Sequence, residues 1–186
     1  MSSADRAPFL ESDAPTAVDC YVRTAVPATL VGTIDAVADR LERLSETDAI
    51  AEYRIRGWPP ENDALAESAA NETRDELVSA FEAWADERGH TLEPAFRRER
   101  VPSSPPGTQS DDRRERVRVP IVALAVRDRE ADRLRGVVPH TADPGTDAER
   151  TRTVTEWLRA AEATKTPESE TAFGSTGGTT LLEGRR

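Results

Sequence analysis

Across 186 residues the chain carries one cysteine, Cys20, and two histidines, His90 and His140. A single thiol excludes an intramolecular disulfide and any cysteine-rich zinc site, and two histidines leave little for a His-based metal centre. No stretch approaches the roughly 20 apolar residues of a membrane span. The longest apolar run, Val119–Val126, has the length of a strand. The opening residues, Met1–Pro15, lack both a basic start and an apolar core, so no secretion signal is read there. No glycine-rich phosphate loop, GxSxG, HExxH or CxxC motif occurs, and no cofactor is expected. Lysine is almost missing too: of 25 basic residues only Lys165 is not arginine, against 35 acids.

What is present is charge. A net charge of -10 keeps a chain hydrated and self-repelling. Arginine in place of lysine, with abundant Asp, Glu, Ala, Thr and Val, looks like the cytosolic proteins of salt-accumulating archaea, and a cytoplasmic location is expected. Acidity ordinarily argues against nucleic acid. In brine that argument weakens, because at about 1 M salt the Debye length shrinks to roughly 3 Å. The same screening removes most of the counterion-release gain on DNA, so net charge decides neither way.

Apolar periodicity predicts the elements. Val18, Cys20 and Val22 alternate with Asp19, Tyr21 and Arg23, a strand over 17–24. Ile34, Val37, Leu41 and Leu44 form one helical stripe over 30–45, with Thr29 or Thr33 as its cap. A second strand over 51–58 completes a βαβ unit with parallel strands and stops at Trp58-Pro59-Pro60. A helix over 72–88 follows. Asn71 is its expected cap, Thr73 and Glu76 match a capping box, and Gly89 is the left-handed stop. Residues 91–101 read as one strand with Leu92, Pro94 and Phe96 on a shared face. Residues 102–116 read as a mobile loop. Strands follow over 117–127, apolar on both faces and therefore central, and over 134–139. After a polar link over 140–150, Thr153 and Glu156 cap a last helix whose stripe is Val154, Trp157, Leu158 and Ala161.

The expected fold is α/β (α+β): a two-layer sandwich on one mixed sheet of about five strands, in the order βαβαβββα. Residues 1–15 are read as a disordered arm, 16–164 as a single domain, and 165–186 as a disordered tail. The second face of the sheet requires cover from the third helix or from a partner subunit.

Several of these segments carry a resemblance: Tyr21-Val22-Arg23-Thr24, Asp39-Arg40-Leu41-Glu42-Arg43-Leu44, Phe81-x-x-Trp84-Ala85 with Gly89, Leu92-Glu93-Pro94-x-Phe96, Val119-Pro120-x-Val122-Ala123-Leu124-Ala125, and Thr153-Val154-x-x-Trp157-Leu158. Together they resemble a family of small haloarchaeal proteins, some of which are called helix-turn-helix domain proteins. The resemblance implies a link to transcription. The matching residues are packing and turn motifs, silent on chemistry. The sequence itself shows no short Gly-bearing turn joining two adjacent helices.

Three arginines stand out as a candidate anion or partner contact. Arg54 and Arg56 share one face of the second strand, and Arg23 lies on the first; in register, their guanidiniums could hold an anion, or simply pair with surface acids. Arg113, Arg114, Arg116 and Arg118 form a second basic run able to touch phosphate, offset by Asp111, Asp112 and Glu115. Cys20 reads as a small core residue, His90 as a ring at a helix end and His140 as a loop residue. Glu93 and Glu99 read as part of an alternating charged strand, and Trp84 and Trp157 as core. With no convergent reactive groups, the expectation is a non-catalytic cytoplasmic regulatory or protein-interaction module, acting on an unknown protein partner or as a homodimer. A transcription-linked DNA-binding protein and a small anion sensor or enzyme are the alternatives.

Overall fold

The computed structural model describes residues 9–10, 14–61, 73–102 and 113–164. Four strands form the main sheet: β1 (Thr16–Val22), β2 (Glu52–Gly57), β6 (Val122–Asp128) and β7 (Leu134–Val138), in the order β2-β1-β6-β7. β1 is parallel to β2 and antiparallel to β6, with Cys20 opposite both Ile55 and Leu124. The intervening helix α1 (Ala28–Glu46) makes the parallel crossover. Helices α2 (Arg74–Glu87) and α3 (Val154–Thr164) complete the sandwich. The α+β sandwich on a mixed sheet is therefore the observed architecture.

Strand count and layering differ from the expectation. Helices lie on both faces of the sheet, because alternate residues of its two central strands feed two separate cores. Tyr21, Ala123, Ala125 and Val137 pack with Leu77, Val78, Phe81 and Trp84 of α2. Val18, Cys20, Leu124, Val126 and Val138 pack with Leu41 and Leu44 of α1 and Trp157, Leu158 and Ala161 of α3. The second face, assigned on sequence to α3 or a partner, is covered by α2. Burying both faces of β6 is what its unbroken apolar run requires.

Two small sheets account for the extra strands. β3 (His90–Thr91), β8 (His140–Ala142) and β9 (Arg150–Arg152) form one, in the order β3-β8-β9. β4 (Arg97–Pro102) and β5 (Arg113–Arg118) form an antiparallel ribbon. The segment read as one strand over 91–101 is thus broken. Leu92 and Phe96 are both buried in the α2-side core, and the turn at Glu93–Ala95 brings them there; Phe96 N–H donates to the Leu92 carbonyl at 3.1 Å. Residues 113–116, read as loop, belong to β5, whose alternation is masked in sequence by arginine on both sides of Val117. Residues 103–112 lie outside the described residues. The strand read over 117–127 divides at Val119–Ile121 into β5 and β6, and the link read over 140–150 contains β8 and the start of β9.

Helix ends follow local chemistry. Thr73 caps α2 through its hydroxyl and Glu76 closes the box on the Thr73 N–H; Asn71 lies outside the described residues. Thr153 and Glu156 repeat the arrangement at α3. Neither Thr29 nor Thr33 caps α1, which starts earlier, at Ala28, behind Pro27 and without a side-chain cap. Gly89 takes φ +66° after α2. Phe9 and Leu10, in the stretch read as an arm, pack against the cores, and Phe9 meets the Trp84 ring edge-on at 5.6 Å. Residues 1–8, 11–13 and 165–186 lie outside the described residues.

Candidate nucleic-acid interface

The β4–β5 ribbon places seven arginines, Arg97, Arg98, Arg100, Arg113, Arg114, Arg116 and Arg118, against two acids, Glu99 and Glu115, on twelve residues. That is a local excess of positive charge in a chain of net charge -10. Register sorts the ribbon into two faces. Arg98 lies opposite Val117, and Arg100 opposite Glu115, on the side turned to α2. Val117 is buried there, and Arg98 clamps Glu82 of α2 with Nη2 at 2.8 Å and Nε at 3.0 Å, reaching Ser79 as well. The forked guanidinium thereby docks the ribbon on the helix with directional bonds that lysine would not make. The opposite face presents Arg97 beside Arg118 and Glu99 beside Arg116.

That face continues into a cleft of about 510 Å³. It opens past the carboxyl ends of β1 and β2, where Arg23–Ala25 follow one strand and Trp58 follows the other; the ends of parallel strands commonly shape ligand sites. Four arginines line it, Arg23, Arg74, Arg116 and Arg118, with two acids, Glu61 and Glu99. Glu61 Oε1 accepts from Arg74 Nη1 at 2.8 Å and from Arg116 Nε at 2.9 Å. Arg118 pairs with Glu99 at 3.3 Å. Arg23 Nη2 donates to the Val119 carbonyl, and among the described residues no carboxylate pairs with Arg23. Trp58, stacked on Tyr21 at 5.1 Å, donates its indole N–H to the Pro120 carbonyl at 3.1 Å and walls the cleft. A neighbouring hollow lined by Arg23, Arg97, Arg118 and Pro120 extends the groove along the ribbon.

Of the arginines singled out in sequence, Arg23 is in this cleft and the other two are elsewhere. Arg56 Nε lies 3.4 Å from Asp19, which also accepts from Arg127 at 3.2 Å. Arg54 pairs with Glu52 at 2.9 Å and borders a separate hollow by Asp128 and Arg129. The cleft residues missed in sequence are Arg74 and Glu61. Each sits in an unpatterned setting, beside a helix cap and after two prolines. Arg116 and Arg118 were visible as a basic run, without their partners.

The histidines and the cysteine lie away from the groove. His90 and His140 stack on each other at 5.0 Å, with Trp84 against both and Phe9 against His140. The His140 Nδ1 lies 2.7 Å from the Val137 carbonyl, and burial pushes its pKa down to about 4. Burial also lowers that of His90. Cys20, in the core on the α1 side, has its thiol pushed up to about 12 by desolvation. Among the described residues no helix is long and apolar enough to cross a membrane.

A family model described as helix-turn-helix domain matches residues 10–166. No curated protein and no solved structure matches the chain. Among the described residues no two helices are joined by a short turn. β2 intervenes between α1 and α2, and β3 to β9 between α2 and α3.

Proposed function

This chain belongs to the helix-turn-helix domain family, and we propose that it is a non-catalytic regulator of a salt-accumulating cell that meets duplex DNA with its arginine ribbon instead of a recognition helix. The observation that carries the reading is the concentration of seven arginines on β4 and β5 of an acidic chain. A two-stranded ribbon fits the major groove of B-DNA, as does a helix. Guanidinium forks match phosphate oxygens and the acceptor edge of guanine. Docking by Arg98 and Val117 holds the ribbon at a set angle, which supports close contacts of the kind that survive screening.

Fluorescence anisotropy on a labelled duplex, across a KCl series in which circular dichroism confirms folding, tests this. Log K should fall with log salt at about 0.9 per phosphate contact. With Arg97, Arg116 and Arg118 of the outer face engaged, the slope should be roughly -3. Replacing Arg97 by Ala should flatten it by nearly one. Absence of duplex binding at every salt concentration that preserves the fold refutes the reading.

A second reading, pairing with a protein partner or with a second copy of the chain, is favoured by β2. It is the edge strand of the main sheet, exposed from Arg54 to Gly57, with Ile55 44% exposed. Open edges template strand addition. Light scattering on the protein as it elutes from a sizing column in multi-molar KCl decides the self-pairing form, which a strict monomer excludes.

A further inference from the structure

At the centre of the cleft the chain supplies its own anion. One oxygen, Glu61 Oε1, receives hydrogen bonds from two arginines on different elements, Arg74 of α2 and Arg116 of β5. Two guanidiniums therefore already converge on a point where a negative oxygen sits. Arg23 adds a third, whose partner among the described residues is only the Val119 carbonyl. The planar carboxylate of Glu61 does not serve all three, and the cleft, at about 510 Å³, is within the size range of small-molecule sites. Four arginines against Glu61 and Glu99 leave an excess of two positive charges on its walls.

We propose that this cleft binds a phosphate group, free or on a small monoester, which takes the place of the Glu61 carboxylate between Arg74 and Arg116 and recruits Arg23. A phosphate monoester carries about -1.5 to -2 at neutral pH and offers three terminal oxygens, matching both the excess charge and three donors that approach from separate elements. Displacing Glu61 breaks a solvent-open pair with Arg116, 55% exposed, and a less exposed one with Arg74, 19% exposed, and the phosphate restores bonds to both guanidiniums. The site shares Arg116 and Arg118 with the outer face of the ribbon, whereas Arg23, Arg74 and Glu61 lie off the ribbon. It does not depend on the duplex reading.

The test is thermal unfolding and titration calorimetry of the full chain with inorganic phosphate and with glycerol 3-phosphate, against KCl at matched ionic strength. A saturable rise in the unfolding midpoint is expected with phosphate and not with chloride. Equal affinity for the two probes identifies free phosphate as the source, and tighter binding of the ester identifies a phosphorylated metabolite. Glu61→Gln removes the competing charge while keeping the side chain's shape, and should tighten binding by at least about three-fold. Arg74→Ala should weaken it by about ten-fold or more. The proposal falls if wild type and Glu61→Gln both show no shift beyond chloride, or if Glu61→Gln binds phosphate no more tightly than wild type. A chain that shows the phosphate response but binds no duplex retains this site and loses the DNA reading; duplex binding without a phosphate response does the reverse.

Discussion

Lowering the pH from 7 to 5 should weaken the fold by about 2 kcal/mol through His140 alone. The ring is 4% exposed, enclosed by Phe9, Trp84 and His90, and held by its Nδ1 against the Val137 carbonyl. Desolvation is the main reason its pKa drops from the ordinary 6.5 to about 4, and the nearby His90 and Arg152 push the same way. For a base depressed on folding, the neutral form is the one the fold holds. Its stabilisation is complete above the unfolded pKa near 6.5 and is lost as pH falls from there towards 4. At pH 5 the unfolded chain carries nearly a full proton on this ring and the folded chain almost none, and integrating that difference from pH 7 yields the figure above. His90 shifts in the same direction and adds to it. Carboxylates contribute little here because they titrate lower. Urea unfolding followed by tryptophan fluorescence at pH 5, 6 and 7 in constant KCl measures the effect, and His140→Phe should flatten the profile. Equal stability at pH 7 and pH 5 in the wild type, or an undiminished slope in His140→Phe, refutes the reasoning.

Two further outcomes follow from the cores. Cys20 is 1% exposed with its thiol pushed up to about 12, so it should not react with a disulfide reagent at pH 8 in the native state and should titrate fully in urea; prompt native labelling would contradict its burial. At Gly136 an added Cβ would run into the Phe9 ring, so Gly136→Ala should cost about 1–3 kcal/mol in urea unfolding. Combining it with Phe9→Ala should cost less than the two changes summed, because the overlap is then relieved, and strict additivity would show that Phe9 is not seated there.

Much of the framework was legible because it is written in short-range spacing. Leu41 and Leu44, then Leu77, Phe81 and Trp84, fall on helical stripes whichever surface they meet, and all are buried. Thr73 with Glu76 and Thr153 with Glu156 close their boxes within a single turn. The alternation of Ala123 and Ala125 against Leu124 and Val126 assigned those residues to opposite faces before any neighbour was known. Failures came where spacing misleads. Leu92, Pro94 and Phe96 mimic a strand, yet Leu92 and Phe96 enter the core from either side of a turn.

The candidate site was legible only in part. Arg54 and Arg56 share a strand face, and Asp19 and Glu52 stand close enough to pair with them. Arg23 was singled out for its strand, although its neighbours in the cleft, Arg74 and Arg116, come from remote stretches of the chain.

Composition, helical and strand periods, capping boxes and the two-faced apolar strand are properties of residues a few positions apart, so the amino-acid order determined them unaided. Which arginines keep a neighbouring acid and which gather around Glu61 was decided only when parallel β1 and β2 ended side by side and Arg98 drew the ribbon onto α2. Ion pairing depends on distances of a few ångströms between elements far apart in the chain, and no local pattern carries that information.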